Sequence, residues 1–336
     1  LLGEQAWQRQ YEMSLSFYEL AAEIASLCCE FELMERLIDS VIEQAHSLLE
    51  KVNVYCIKIQ SYVFQNKPVE ALDIGQTLLH QFGVTFAKSP TPVDIQQSIQ
   101  EINELIKDRK IADLFDLPVM TDRQILAIIQ IAYALIPPAY NSGSILCPLL
   151  ITLSVKLSIQ HGNTIISAFA YANYGFILCN LVKDVNAATE FAQLSLQIIS
   201  KFDAKAIKPE VLLVLGGFIL HRKSHIKNIL PLLQESYMIA LEVGSTKFAG
   251  YHARTFCNAA FWSNQPLVTL EQDARAYYNG LMQLNQVGLA NHCRLSWQSA
   301  LNLLGFGEHP CILSGEAVQE TELLPQLISD NDVSEL

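Results

Sequence analysis

Small side chains at helical spacing dominate this chain and leave it little choice of architecture. The clearest stretch, residues 165–199, reads IISAFAYANYGFILCNLVKDVNAATEFAQLSLQII. Apolar or small residues recur there three or four positions apart, through Ala168, Tyr171, Ala172 and Gly175, then through Ala188, Phe191, Ala192, Ser195 and Leu196. That spacing lines one face of each of two helices and lets their backbones approach. A hairpin of this kind buries one face internally and offers a second to a neighbour. Copies therefore stack into an array whose usual business is holding partners.

The rest of the chain fits the same class. Its 336 residues are 51 % hydrophobic, enough for one long array or two globular domains. Twelve prolines and fifteen glycines are few for this length, and strict apolar–polar alternation is almost absent, so the reading is all-α. Lysine and arginine number 22 against 34 aspartates and glutamates, a net charge of −12 that repels a phosphate backbone and argues against nucleic acid. The longest apolar stretches, residues 125–136 and 145–155, hold about twelve residues or fewer, short of the roughly 18 of a spanning helix. They read as buried helices, with no membrane span. None of the eight cysteines shows CxxC spacing, which predicts reduced, core-filling thiols and a cytoplasmic setting. A first residue of Leu rather than Met predicts a piece of a longer polypeptide.

The pattern predicts a first hairpin from helices 13–29 and 31–47, with Tyr18, Ala21, Ala22, Ala25 and Leu27 facing inward. Helix 52–64 and a helix from Pro68 to Gly83 follow. Regularity breaks at residues 87–94, and a polar helix over 93–108 leads to a turn around Pro118. Two very apolar helices come next, 125–136 stopped by Pro137 and Pro138, and 145–160 ended by Gly162. After the hairpin at 165, pairs 209–221 with 226–243 and 247–262 with 266–284 start their second helices near Val185, Ile226 and Pro266, a period of about forty. One more helix, 290–303, ends at Gly305 without an evident partner. Residues 315–336 hold six acidic and no basic residues and read as a loosely packed connector. The implied organisation is hairpins over 1–86, an irregular segment over 87–162, a second repeat block over 163–305 and an acidic connector over 306–336. The fold class is a tetratricopeptide-like superhelix, an α-solenoid of about six hairpins with an irregular middle insertion.

Candidate chemistry is sparse. His221 and His225 in HRKSH sit four residues apart, the spacing of two metal ligands on a helix. A zinc-protease motif needs Glu directly after the first histidine, where Arg222 stands, and a third ligand as well. A solvated basic turn is the better reading. With Arg222, Lys223 and Lys227 it forms the one concentrated positive patch of an acidic chain, so His221, Arg222, Lys223, His225 and Lys227 are the candidate docking residues for an acidic neighbour. Cys28 and Cys29 lie beside Glu30 and Glu32, which oppose thiolate formation and favour a packing role. Trp7, Trp262 and Trp297 read as wedges between helices. Lys58, Arg254 and Asn258 are too scattered for a clamp on a peptide carboxylate. No kinase glycine loop, HRD loop, Walker lysine, phosphoacceptor histidine box or GxSxG elbow is present. No catalytic, metal or cofactor-binding residue is assigned.

Five phrases in order, YELAAEIASL (18–27), VNVYCIKIQSYVFQNKPVEALDIG (52–75), IADLFDLPVMTD (111–122), SAFAYANYGFILC (167–179) and TEFAQLSLQII (189–199), resemble one family. This is the tetratricopeptide-like middle region of large bacterial, notably cyanobacterial, signalling proteins. Those proteins join a serine/threonine kinase, an AAA-type ATPase, this helical region, a GAF domain and a histidine kinase. The resemblance implies a non-catalytic scaffold whose partners are the neighbouring ATPase, GAF and histidine kinase modules, with no cofactor of its own. The chain departs from the family's Glu-Gly-Asp turn at Glu242-Val243-Gly244-Ser245. Two other classes stand beside it: a free-standing peptide-binding adaptor, and a small-molecule sensor with a concave pocket near the apolar middle helices.

Overall fold

The computed structural model describes residues 6–307 and 309–329, and its regular structure is helical. Among those residues β-type pairing is limited to two single bridges, Val119 with Asn163 and Ser314 with Gln319. This is the all-α class that the periodicity predicts. Contacts divide the chain into two compact units, Leu1–Tyr174 and Gly175–Leu336.

The first unit opens with a short α1 (Ala6–Arg9), then α2 (Tyr11–Leu27), α3 (Phe31–Gln44), α4 (Leu48–Phe64) and α5 (Pro68–Gln81). It continues with α6 (Pro92–Ile106), α7 (Arg123–Asn141), α8 (Leu146–His161) and α9 (Ile165–Ile177), which runs across the unit boundary. Helix starts follow local chemistry. Ser47 with Glu50 and Thr91 with Asp94 form reciprocal capping pairs, the Asp122 carboxylate accepts the N–H groups of Gln124 and Ile125, and Pro68 and Pro92 open their helices. Helices α2, α3 and α4 close over Ala22, Ala25, Met34, Ile38, Val41 and Val54. Helix α7 packs on α4, α5 and α8.

The expected turn around Pro118 is tied to the end of α8 by one buried asparagine. Asn163 donates its backbone N–H to Pro118 O at 2.7 Å and its amide to Leu114 O at 2.7 Å. Its carbonyl accepts from Met120 N at 2.9 Å and its Oδ1 from the Tyr171 hydroxyl at 2.8 Å. Gly162 has φ of 103°, and a Cβ there would stand 2.3 Å from Pro118 O, so only glycine fits.

In the second unit α9 ends and α10 (Val185–Lys201), α11 (Lys208–Val214), α12 (Leu230–Glu242), α13 (Thr246–Trp262), α14 (Leu267–Gln283), α15 (Val287–Leu303) and α16 (Glu320–Ser329) follow. Three successive helices, α13, α14 and α15, are 17 residues long. The left-handed residues that flank them, Gly244, Asn264, Asn285 and Gly305, stand 20, 21 and 20 positions apart. Each begins the same chain reversal: the next N–H reaches back to the helix, as Ser245 to Ala240 O, Gln265 to Ala260 O, Gln286 to Leu281 O and Phe306 to Leu301 O. The helix over 290–303, expected to lack a partner, is α15, which packs on both α13 and α14.

Several expectations are corrected. Helix α7 does not stop at Pro137 and Pro138 but runs through both to Asn141. Leu135, Ile136, Pro138 and Ala139 are buried there, and that packing offsets a proline penalty of about 3 kcal/mol. Leu27 is exposed rather than inward, and Cys28 and Cys29 are exposed with it, because Cys29 takes φ of 61° in the turn leaving α2. Cys311 is exposed too, whereas Cys56, Cys147, Cys179, Cys257 and Cys293 are buried, and burial pushes the Cys56 thiol up to about 12. Trp262 is exposed and wedges nothing, Trp297 is buried, and Leu196 of the opening stripe is exposed. The tail after Gly305 is bonded to α15: Asn302 donates to Ile312 O at 2.6 Å, and Gln298 Oε1 accepts from Ala317 N and Val318 N. Val318 is buried, so the segment is not the loosely packed connector expected over 306–336, whose last residues, 330–336, lie outside the described residues. Finally, one helical stretch, Ile165–Val182, is long and apolar enough to cross a membrane, and 67 % of it is buried inside the protein. Ser167, Asn173 and Asn180 and the small residues between them dilute its apolar character in the sequence.

Candidate functional site

The basic turn of the second unit is built where a helix loses its regularity. Pro209 sits in the first turn of α11, and Gly216-Gly217 lie seven and eight residues later. Two adjacent glycines weaken the α-helix, which widens into a π turn over Leu215–Ile219 and then tightens into a 3₁₀ turn over Leu220–Arg222. A second 3₁₀ turn, Ile226–Ile229, leads into α12. The same widening ends α9, whose last turn is π over Leu178–Val182 before Lys183 reverses the chain with φ of 66°.

These two widened turns meet. Phe176 and Phe218 pack edge to face with centroids 5.0 Å apart, and a Cβ on Gly175 would lie 2.9 Å from Ile219 Cδ1. The Arg222 guanidinium donates to Asn180 Oδ1 at 3.3 Å, and the Asn180 amide is oriented by its own bond to Phe176 O at 3.0 Å. Burial holds the Cys179 thiol above its ordinary range, with Arg222 opposing and Asp184 adding to the shift. Asp184 caps α10 by accepting Ala187 N at 3.0 Å.

Arg222, Lys223, His225 and Lys227 are exposed, and His221 is half-buried. Burial lowers the His221 pKa, its bond to the Gly216 carbonyl raises it, and the Arg222 charge lowers it again, so it is neutral at physiological pH. His225 caps the 3₁₀ turn, its Nδ1 accepting the Lys227 N–H at 3.1 Å. The two histidines do not share one helical face, because the helix ends between them at Arg222. No group of three or more potential metal ligands occurs among the described residues. What the turn offers is three long cations, Arg222, Lys223 and Lys227, held out at the surface. Sequence reasoning missed Asn180 and Lys183, about forty residues upstream; the Gly216-Gly217 pair was the only local signal of a widened helix.

The other readings find less to stand on. Lys58 is ion-paired with Glu35 in the first unit. A groove of about 920 Å³ runs along α6 and α8, lined by Gln96, Gln97, Gln100, Glu101, Glu104 and Lys156. It runs beside α8, one of the two apolar middle helices near which a small-molecule sensor predicts a concave pocket, and its wall is polar, rich in glutamine and glutamate.

Over 296 residues the chain is 16 % identical to the hybrid signal transduction histidine kinase G of Dictyostelium discoideum. That alignment covers 82 % of this chain and 9 % of the kinase, so the chain spans a small fraction of that relative's length. No family model matches, and no solved structure matches.

Proposed function

We propose that the chain is a non-catalytic, tetratricopeptide-like helical scaffold that links ATPase and sensor-kinase modules of a multidomain signal-transduction kinase. The carrying observation is the run α13–α14–α15, three 17-residue helices joined by the same left-handed reversal every 20 or 21 residues. Two such helices make a hairpin of about forty residues, the period of helical solenoids. In a solenoid each repeat touches only its neighbours, so small rotations add along the array and can carry a signal between modules at its ends. The distant similarity to a signal-transduction histidine kinase supports this setting, and the basic turn supplies a docking point. Arg222, Lys223 and Lys227 face an acidic surface of a neighbouring module, with His221 and His225 shaping the turn that presents them.

The test is made in the encoded polypeptide. Its reading frame should carry ATPase and histidine kinase modules around this segment. Reversing Arg222, Lys223 and Lys227 to Glu should weaken the contact with the neighbouring module by about tenfold or more, since several exposed charges invert together. An unchanged contact removes the docking role, and a frame without either module removes the scaffold reading.

A further inference from the structure

Helix α2 carries two apolar faces, and its own unit uses only one of them. Ser14, Ala22, Ala25 and Ser26 are buried toward α3 and α4. On the opposite side Met13, Phe17, Leu20, Ile24 and Leu27 remain 49–67 % exposed. Their spacing is 4, 3, 4 and 3 residues, so at 3.6 residues per turn they fall within an arc of about 80°. That narrow stripe has the spacing of a coiled-coil seam rather than the breadth of a face on a globular core.

We propose that this seam pairs with the same seam of a second copy of the chain, antiparallel, about a two-fold axis through Leu20. The stripe is nearly symmetric about that residue. Reversed on itself it sets Met13 against Leu27 of the other copy, Phe17 against Ile24 and Leu20 against Leu20, which is the self-complementarity an isologous interface requires. Just beyond the ends of α2 the exposed residues are of opposite charge, Arg9 closing α1 before the break at Gln10 and Glu30 opening α3 after the left-handed Cys29. Antiparallel pairing puts oppositely charged ends near one another, whereas parallel pairing brings like ends together. Along the seam Glu23 falls level with Phe17 of the second copy, beside Ser16, and the small side chain of half-buried Ala21 on the other edge leaves room for close approach. Five half-exposed side chains from each copy bury roughly 1,000 Å² in total, the threshold of a specific contact, so the pair is a weak, concentration-dependent dimer.

Sedimentation equilibrium between ~1 and ~200 µM should show the mass of the chain rising toward twice the monomer, while Leu20→Glu stays monomeric with an unchanged melting temperature. Leu20→Cys, in a chain whose exposed Cys28, Cys29 and Cys311 are Ser, should form a disulfide-linked dimer when oxidised glutathione takes up the two electrons released by the two thiols. Met13→Cys should do so only when combined with Leu27→Cys. A wild-type chain that remains monomeric throughout overturns the proposal, and so does a Leu20→Glu variant that dimerises equally. Self-linking of Met13→Cys as readily as Leu20→Cys overturns the antiparallel geometry. A monomeric wild-type chain that instead captures a synthetic amphipathic helix with a lysine edge would assign the seam to a different partner.

Discussion

At Gly75 a hydrogen stands where any other residue would place a carbon 2.2 Å from Leu135 Cδ2. Leu135 is fully buried in α7. Gly75→Ala therefore sets two effects against each other: a gain of up to ~1 kcal/mol from helix propensity, and a loss of ~1–3 kcal/mol from overpacking. Overpacking wins where the neighbour is enclosed, so the urea midpoint should fall by the equivalent of ~1–2 kcal/mol. The cause is separable. Leu135→Ala alone should cost ~2–5 kcal/mol, and it should cost less in the Gly75→Ala background, because the truncated side chain makes room for the new methyl. Additive losses would mean that the clash is not the reason. Gly175 plays a comparable part, its missing Cβ standing 3.0 Å from the Ala188 carbonyl oxygen. The small-residue stripe marked Gly175, but nothing in the local pattern separated Gly75 from an ordinary helical glycine, since its partner lies sixty residues away.

Helices α11 and α13 are joined by a histidine that stays neutral. His252 is fully buried on α13 and its Nε2–H donates to Pro209 O at 2.9 Å, while burial pushes its pKa down to about 4. In the unfolded chain the same group titrates near 6.5. The unfolded state thus binds the extra proton first as pH falls, so the stabilisation present above about 6.5 is lost progressively toward pH 4, by about 3 kcal/mol in all. Melts at pH 7.5 and 4.5 should show a steeper fall for the wild-type chain than for His252→Gln, which can still donate to Pro209 but cannot titrate. Parallel slopes would acquit the histidine. The same elements show what a sequence displays and what it hides. Helix ends at Gly83, Gly162, Gly244 and Gly305 were legible because glycine is the residue that takes positive φ without strain. The equivalent ends at Cys29, Asn66, Asn264 and Asn285 were less so, because there the chain reversal imposes a conformation the residue only tolerates. The run of α7 through Pro137 and Pro138 was illegible, since local propensity stops that helix and burial continues it. The basic turn stood out by composition alone. Its partner turn at Asn180 did not, because the contact with Arg222 crosses forty residues of chain.

Over the whole molecule the most apolar stretch has to be reconciled with an acidic chain of −12. Ile165–Val182 carries no charged side chain and is long enough to span a bilayer, yet most of it is packed inside protein. Two of its hydroxyls are already committed there. The Tyr171 hydroxyl donates to buried Asn163 at 2.8 Å, and the Ser167 hydroxyl meets that of Ser158 at 2.8 Å. Moving this helix into lipid would break both bonds, strip Asn163 of a partner and open the packing around Ala168 and Ala172, each buried completely. Each buried polar group left unpaired costs ~1–3 kcal/mol, and the apolar surface gains nothing on transfer from one apolar surrounding to another. The balance keeps the helix in the protein. In a flotation gradient with vesicles containing anionic lipid the chain should therefore stay with the dense fraction, the more so because its acidic surface is repelled by that bilayer. Asn163→Leu together with Ser158→Ala should raise its exposure to protease without moving it to the floating fraction. Co-flotation of the unmodified chain would show that burial does not hold this helix, and would reopen the reading of residues 165–182 as a lipid-facing element.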